Sequence, residues 1–323
     1  MQTVSDVPPP LPLSIAIPTY GRDTVLTDTI GQLLEQEPSA AEILVVDQTP
    51  EHEPATEALL ARWQAEGKIR WERLRQPSQP AALNHAFAIA TQPFVLMLDD
   101  DIRIAPGFLA AHIAGFSDGD PWAVVGQVLQ PGEAPLQGFK HEASPTPLAD
   151  LEFPFRSASP AWIANGMSGN MTVRRDKAIE LGAFDENFLP PVSYRFDTEF
   201  CKRLIRAGGR IRFVPAARID HLRAERGGTR STGSHLTSAS PIHGVGDYYF
   251  AMRQGSGWAT LRYVMRRPVR EVCTRFHLKR PWWIPVKLIG ECRAACRAIG
   301  LLLKGPSFRD FGTRPNAEEA GTP

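Results

Sequence analysis

The chain reads as an α/β protein, with a mostly parallel sheet flanked by helices and a helical C-terminal extension. Three observations predict this. The first 130 residues alternate apolar runs with helical stretches, which is the pattern of βαβ units. The runs ILVV and FVLML are continuously apolar, as strands covered on both faces require. Several runs end in polar groups, namely Pro18-Thr19-Tyr20, Asp47 and Asp99-Asp100-Asp101. Ligands of parallel sheets bind beyond the carboxyl ends of the strands, so these clusters predict one shared rim.

Taken in order, residues 13–18 form a strand and 24–36 a helix. A second strand follows at 42–47, then a helix at 56–66 and an alternating, strand-like segment at 69–74. Residues 81–90 are helical, 94–98 a strand, 106–116 a helix with Pro106 in its first turn, and 123–129 a strand. A proline-rich connection covers 131–160. Beyond it the pattern predicts a strand at 169–173, helices at 176–181 and 197–207, and a strand at 210–214 closed by Pro215. The stretch RGGTRSTGS at 226–234 reads as a mobile loop. Residues 247–254, 261–267 and 281–303 are helical in pattern. Residues 1–12 and 306–323 read as disordered tails, and 236–305 as a helical, basic extension.

At 323 residues the chain can bury a large core. Its 43% hydrophobic and 22% charged residues are those of a globular protein. The net charge of +1 predicts no nucleic-acid partner, but its distribution is uneven. Residues 262–304 carry eleven Lys/Arg against two acids. That segment, with its KRPWWIPVK stretch, is a candidate for peripheral contact with a membrane surface; a packed helix with outward arginines is the plainer alternative. The four cysteines, Cys201, Cys273, Cys292 and Cys296, form no C-x-x-C motif and read as free thiols. The N-terminal residues lack a basic region followed by an apolar stretch, and no run reaches about 18 apolar residues. The expectation is a cytoplasmic protein, with 262–304 the part that would reach the inner face of a membrane.

Asp99, Asp100 and Asp101 follow directly on a buried strand. Three adjacent carboxylates repel, and their desolvation is costly unless something compensates. A divalent cation does so: Mg2+ and Mn2+ take hard oxygen ligands, with phosphate oxygens completing the shell.

The ordered stretches SIAIPTYGR, ILVVDQTP, QPAALNHAFAIATQPFVLMLDDD, GNMTVRRDKAIELGAFDE and RFDTEFCKRLIRAGGRI resemble a family 2 glycosyltransferase of the GT-A fold, over roughly residues 11–225. The resemblance implies a nucleotide-sugar-binding half at 13–130 and an acceptor-binding, catalytic half at 131–235. It implies that Pro18, Thr19, Tyr20, Arg22, Asp47, Asn84, Asp99, Asp100 and Arg226 line the nucleotide-sugar, with Asp47 on a pyrimidine base and Asn84 near the ribose. Asp101 and His221 would hold Mg2+ or Mn2+, Asp99 meeting the ribose or a metal-bound water. Arg223, Arg226 and Arg230 would face the diphosphate. Asp197 matches the second acid of the family's Glu-Asp pair and would be the base. Phe196 replaces the first acid, leaving Glu199, with Asn170, as the acceptor contacts.

The implied function is inverting transfer of a sugar from a UDP- or dTDP-type donor to a hydroxyl of a growing glycan or lipid-linked saccharide. Transfer to a polyprenyl phosphate is a second reading, and a non-catalytic nucleotide-sugar-binding module a third. A nucleotidyl transferase fits poorly, because IPTYGRDT offers one glycine and one arginine where a Gly-rich phosphate loop is needed.

Overall fold

The computed structural model describes residues 8–144, 146–188, 194–228 and 234–312. Residues 1–7 and 313–323 of the expected tails, and Arg230, lie outside the described residues.

The first half is a succession of βαβ units: β1 (Leu11–Thr19), α1 (Thr24–Leu34), β2 (Ala40–Asp47), α2 (Pro54–Ala65), β3 (Arg70–Arg73), α3 (Gln79–Ile89) and β4 (Phe94–Leu98). The short β5 (Ile102–Ile104) follows, then α4 (Phe108–Ala114) and β6 (Ala123–Leu129). Past the proline-rich connection come β7 (Ala161–Ile163), β8 (Asn170–Arg174), α5 (Arg175–Glu180), α6 (Phe196–Arg206) and β9 (Ile211–His221). The extension is built of α7 (Val245–Gln254), α8 (Gly257–Val272), α9 (Arg275–Lys279) and α10 (Ile284–Lys304).

The sheet runs β3-β2-β1-β4-β8-β6-β9-β5, with β7 also on β9. β3, β2, β1 and β4 are parallel, whereas β8 inserts antiparallel between β4 and β6. One sheet therefore crosses the boundary expected between the two halves. Side chains of β4 alternate between two cores. Val95 and Met97 pack with Ala82, Ala86 and Phe87 of α3. Leu96 and Leu98 pack with Leu26, Ile30 and Phe108 on the opposite face. This two-sided burial is the reason the run lacks polar alternation.

The structure departs from the sequence expectation in several places, and the first two matter for the site. Pro215 does not close the last strand: β9 continues to His221. Its register against β6 breaks between Gly126 and Val128, a bulge that accommodates a residue with no N–H to donate. β5, too short to have a pattern, pairs Ile102 with His221 and carries that histidine to the aspartates. The expected tail from residue 306 is packed as far as it is described: Ser307 N–H donates to Asp185 at 2.9 Å and Arg203 lies over the Phe308 ring. At the other end, residues 11 and 12 belong to β1 rather than to a tail.

α8 also outruns its expected end, passing through Pro268 to Val272. Arg267 and Arg270, on either side of that proline, both pair with the buried Asp247. No described helix is long and apolar enough to cross a membrane.

Candidate functional site

β1, β2 and β4 end at one rim because they are parallel and in register: Thr19 lies opposite Asp47, and Ala16 opposite Met97. Carrying that register three residues on places Thr19 beside Asp100, and its hydroxyl donates to Asp100 Oδ2 at 2.6 Å. A cleft of about 240 Å3 opens above this rim, lined by Tyr20, Arg22, Asp99, Asp101, Asp197 and His221 among others.

The three aspartates have different surroundings. Asp100 is turned inward, held by Thr19 and by Arg22 Nε at 3.4 Å. Burial pushes its carboxyl up to about 7 despite both partners. Asp101 Oδ2 receives Arg22 at 3.2 Å and the Ala224 N–H at 2.9 Å, leaving Oδ1 to face the cleft. Asp99 is the most exposed of the three side chains. His221 Nε2 stands 3.5 Å from Asp99 Oδ2 and 3.3 Å from Asp101 Oδ1. One donor atom from each of Asp99, Asp101 and His221 falls within 4.8 Å of the others. Two carboxylates and an imidazole so placed fit Mn2+ or Mg2+, with room for phosphate oxygens. The Arg223 N–H donates to His221 Nδ1 at 3.2 Å, so Nε2 carries the ring proton. Taking a cation at Nε2 shifts that proton and requires the Arg223 contact to give.

Close backbone approach shapes the same wall. The Asp99 N–H donates to Gly169 O at 3.1 Å, and a Cβ on Gly169 would stand 2.2 Å from Asp99 Oδ2. Across the cleft the 222–228 loop docks on the β1–α1 turn. Gly228 N–H donates to Tyr20 O at 2.7 Å, and the Gly227 backbone touches Gly21, where a Cβ would meet Gly21 O at 2.2 Å. Arg22 fastens the loop through the carbonyls of Ala224 and Arg226.

Asp197 reaches the cleft from the first turn of α6. It accepts from the Thr198 N–H at 2.7 Å, and Arg195, in the left-handed region at φ 73°, begins the helix. Burial raises the Asp197 carboxyl to about 6, opposed by N–H groups of Thr198 and Ser168 and by Arg195. Phe196 is buried beside Phe184 with ring centroids 5.3 Å apart, and adds an apolar wall next to the carboxylate.

Thus Pro18, Thr19, Tyr20, Arg22, Asp99, Asp100, Asp101, Asp197 and His221 share one cleft. Five expected residues are not part of its lining. Asn84 is fully buried, exchanging hydrogen bonds with the Phe184 backbone and donating to Glu186; it anchors the 183–187 turn to α3. Asn170 donates to Gln127 O and Ala217 O and bonds His112 Nε2 at 2.8 Å, so it satisfies the β9 bulge rather than an acceptor. Glu199 is buried against Arg203 and Gln254. Asp47 is wholly buried, taking hydrogen bonds from His52, Trp71 and the Thr49 N–H. Arg226 is exposed on the loop.

Gln48, Gln79, Met167 and Ser168 line the cleft without having been expected there. Position after the strand end was the only signal for Gln48. The other three carry no motif.

A family described as "Glycosyl transferase family 2" matches residues 14–182. A pre-mycofactocin glycosyltransferase of Mycobacterium tuberculosis is 29% identical over 143 residues, which make up 44% of this chain and 29% of that protein. The chain therefore spans less than a third of that relative's length. Among solved structures, a Pyrobaculum calidifontis mannosyltransferase in complex with GDP-Man and Mn2+ superposes with a TM-score of 0.52 at 19% identity, over 94% of this chain and 83% of that one. S. aureus TarS in complex with UDP-GlcNAc gives 0.55 at 16% identity, over 85% and 79%. At those identities the structures establish the shared fold. The family match covers more than half of the sequence: the chain belongs to glycosyl transferase family 2.

Proposed function

We propose that the protein is an inverting, metal-assisted glycosyltransferase, moving a sugar from a UDP- or dTDP-type donor to a hydroxyl of a glycan or lipid-linked saccharide. One observation carries this reading: the Asp99, Asp101 and His221 cluster and Asp197 open onto the same cleft. Such a site has a place for a diphosphate and, across it, a carboxylate for the acceptor.

Asp101 Oδ1, Asp99 and His221 Nε2 would hold the cation, and the solved relatives bound to Mn2+ and to nucleotide-sugars are consistent with that use. When bound, the cation supplies positive charge to the donor's diphosphate. Pro18, Thr19, Tyr20 and Gln48 border the rim where the nucleoside would lie, while Arg226 on the loop is free to approach the diphosphate. Asp47 acts on that rim through the contacts that fix the β2 end, with its own oxygens already occupied. Asp197 accepts the proton from the acceptor hydroxyl as that oxygen bonds to the anomeric carbon. The bond from that carbon to the diphosphate oxygen breaks, and the nucleoside diphosphate leaves on the opposite face.

A carboxyl raised to about 6 is a stronger base than an ordinary aspartate and remains ionised at neutral pH. That favours a hydroxyl acceptor over a phosphate, which is already ionised and needs no base. Turnover should rise with pH through about 6. Asp197→Asn should lower kcat by about 10²- to 10⁴-fold with little change in donor KM. Undiminished turnover in that variant would sink the hydroxyl-acceptor reading.

A further inference from the structure

The outer faces of the C-terminal helices play no part in the cleft. On α8, Trp258, Leu261, Met265 and Val269 are exposed at 75%, 48%, 65% and 58%. Their spacing of three and four residues sets them on one stripe of the helix. On α10, Leu288, Ile289, Cys292, Cys296, Ile299 and Leu303 are exposed with the same periodicity. Between the two helices, Leu278 and Trp282 are also exposed.

The buried faces of both helices meet a single ionic cluster. Arg267 pairs with Asp247 and with Glu291, and Lys287 pairs with Glu291 at 3.0 Å and Glu271 at 3.5 Å. Both apolar stripes therefore point away from that cluster. Glu271 and Glu291 are the two acids of 262–304, and both are engaged in these pairs. The outward surface is left with arginines and lysines alone: Arg262 and Arg266 border the α8 stripe, and Arg293, Arg297 and Lys304 border that of α10.

We propose that α8, α9 and α10 form a docking face for an anionic lipid bilayer. Apolar side chains flanked on the same helices by Arg and Lys, with Trp beside them, suit the headgroup boundary, where the stems bury and the charges meet lipid phosphates. A face without an acid has charge complementary to such a surface. Among the described residues nothing covers it. The proposal does not rest on the reading of the cleft, since the assay that tests it contains no nucleotide.

Flotation of the full chain with phosphatidylcholine vesicles, with and without about one third phosphatidylglycerol, tests it. The chain should float with the anionic vesicles only, and the bound fraction should fall as salt is raised. Met265→Ser with Val269→Ser, and separately Arg262→Glu with Arg266→Glu, should each weaken partitioning by about tenfold or more. These side chains are exposed, so the melting temperature should stay unchanged and an effect on folding is read separately. Failure to float with anionic vesicles would overturn the proposal, as would binding that neither pair of substitutions weakens. A stable dimer that Met265→Ser with Val269→Ser converts to monomer, without vesicle binding, would instead assign the face to a second copy.

Discussion

Asp100 and Asp101 are neighbours in sequence with opposite surroundings, and that difference organises the rim. Asp100 is sealed beneath Thr19 and Arg22, whereas Asp101 keeps one oxygen toward His221. Adjacent residues leaving a strand point to opposite sides, and here Asp99 and Asp101 turn toward His221 while Asp100 turns to Thr19 and Arg22 at the floor of the cleft. The family resemblance implied a donor or cation role for all three; it could not show that Asp100 would be held by Thr19 and by Arg22, 78 residues away along the chain. Asp99, in turn, has its position only because residue 169 lacks a Cβ. Gly169→Ala should shift Asp99 and reduce kcat/KM by about 10²-fold, since displacements near 1 Å at a reacting site cost that much. Measured melting should barely move. A fully active Gly169→Ala variant would show that Asp99 has no part in the cleft's chemistry.

At the scale of elements, β9 separates what was legible from what was not. Its first residues read as a strand, and Pro215 reads as its end. The continuation to His221 depends on partners remote in sequence: β5 on one edge, β6 on the other, and Asn170 to satisfy the Ala217 carbonyl at the bulge. None of those is visible in a local window. The same non-local bonding explains why asparagines and acids with plausible motif positions, Asn84, Asn170 and Glu199, turned out to be internal fasteners. The βαβ half, by contrast, was readable because β1, β2 and β4 carry continuous apolar runs covered on both faces, with a helical stretch after each strand. Asn170→Leu should leave two buried carbonyls and the His112 N–H without partners. It should cost on the order of 3 kcal/mol in urea unfolding. A loss near zero would mean that water replaces the amide there.

For the whole molecule, α6 joins the cleft to the C-terminal helices: Phe196 and Phe200 share one core with Tyr248, Phe250 and Ala294, and Arg195 pairs with Asp247. Stability responds to pH through buried groups near the sheet. Burial lowers His112 to about 4, and its Nε2–H is held by Asn170 while Nδ1 faces Thr172. Because the folded value lies below the unfolded one, its contribution is present above about 6.5 and is lost as pH falls toward 4. The full effect is about 3 kcal/mol. Asp197 acts in the opposite sense: with a folded value near 6, it favours the folded state at low pH and loses that contribution as pH rises. Urea melts between pH 7 and pH 4.5 should therefore show His112→Gln losing less stability than the parent chain. Equal losses would show that His112 does not set the acid sensitivity of the fold.

We propose that the carboxylate–imidazole cluster binds a nucleoside diphosphate through a cation. Titration calorimetry of UDP and dTDP, with Mn2+ and with chelator, tests it most directly. At least one nucleotide should bind roughly tenfold or more tighter with Mn2+, a difference of about 1.4 kcal/mol, and Asp101→Ala should abolish that gain. Nucleotide binding that is equal with Mn2+ and chelator, or unaltered in Asp101→Ala, would contradict it.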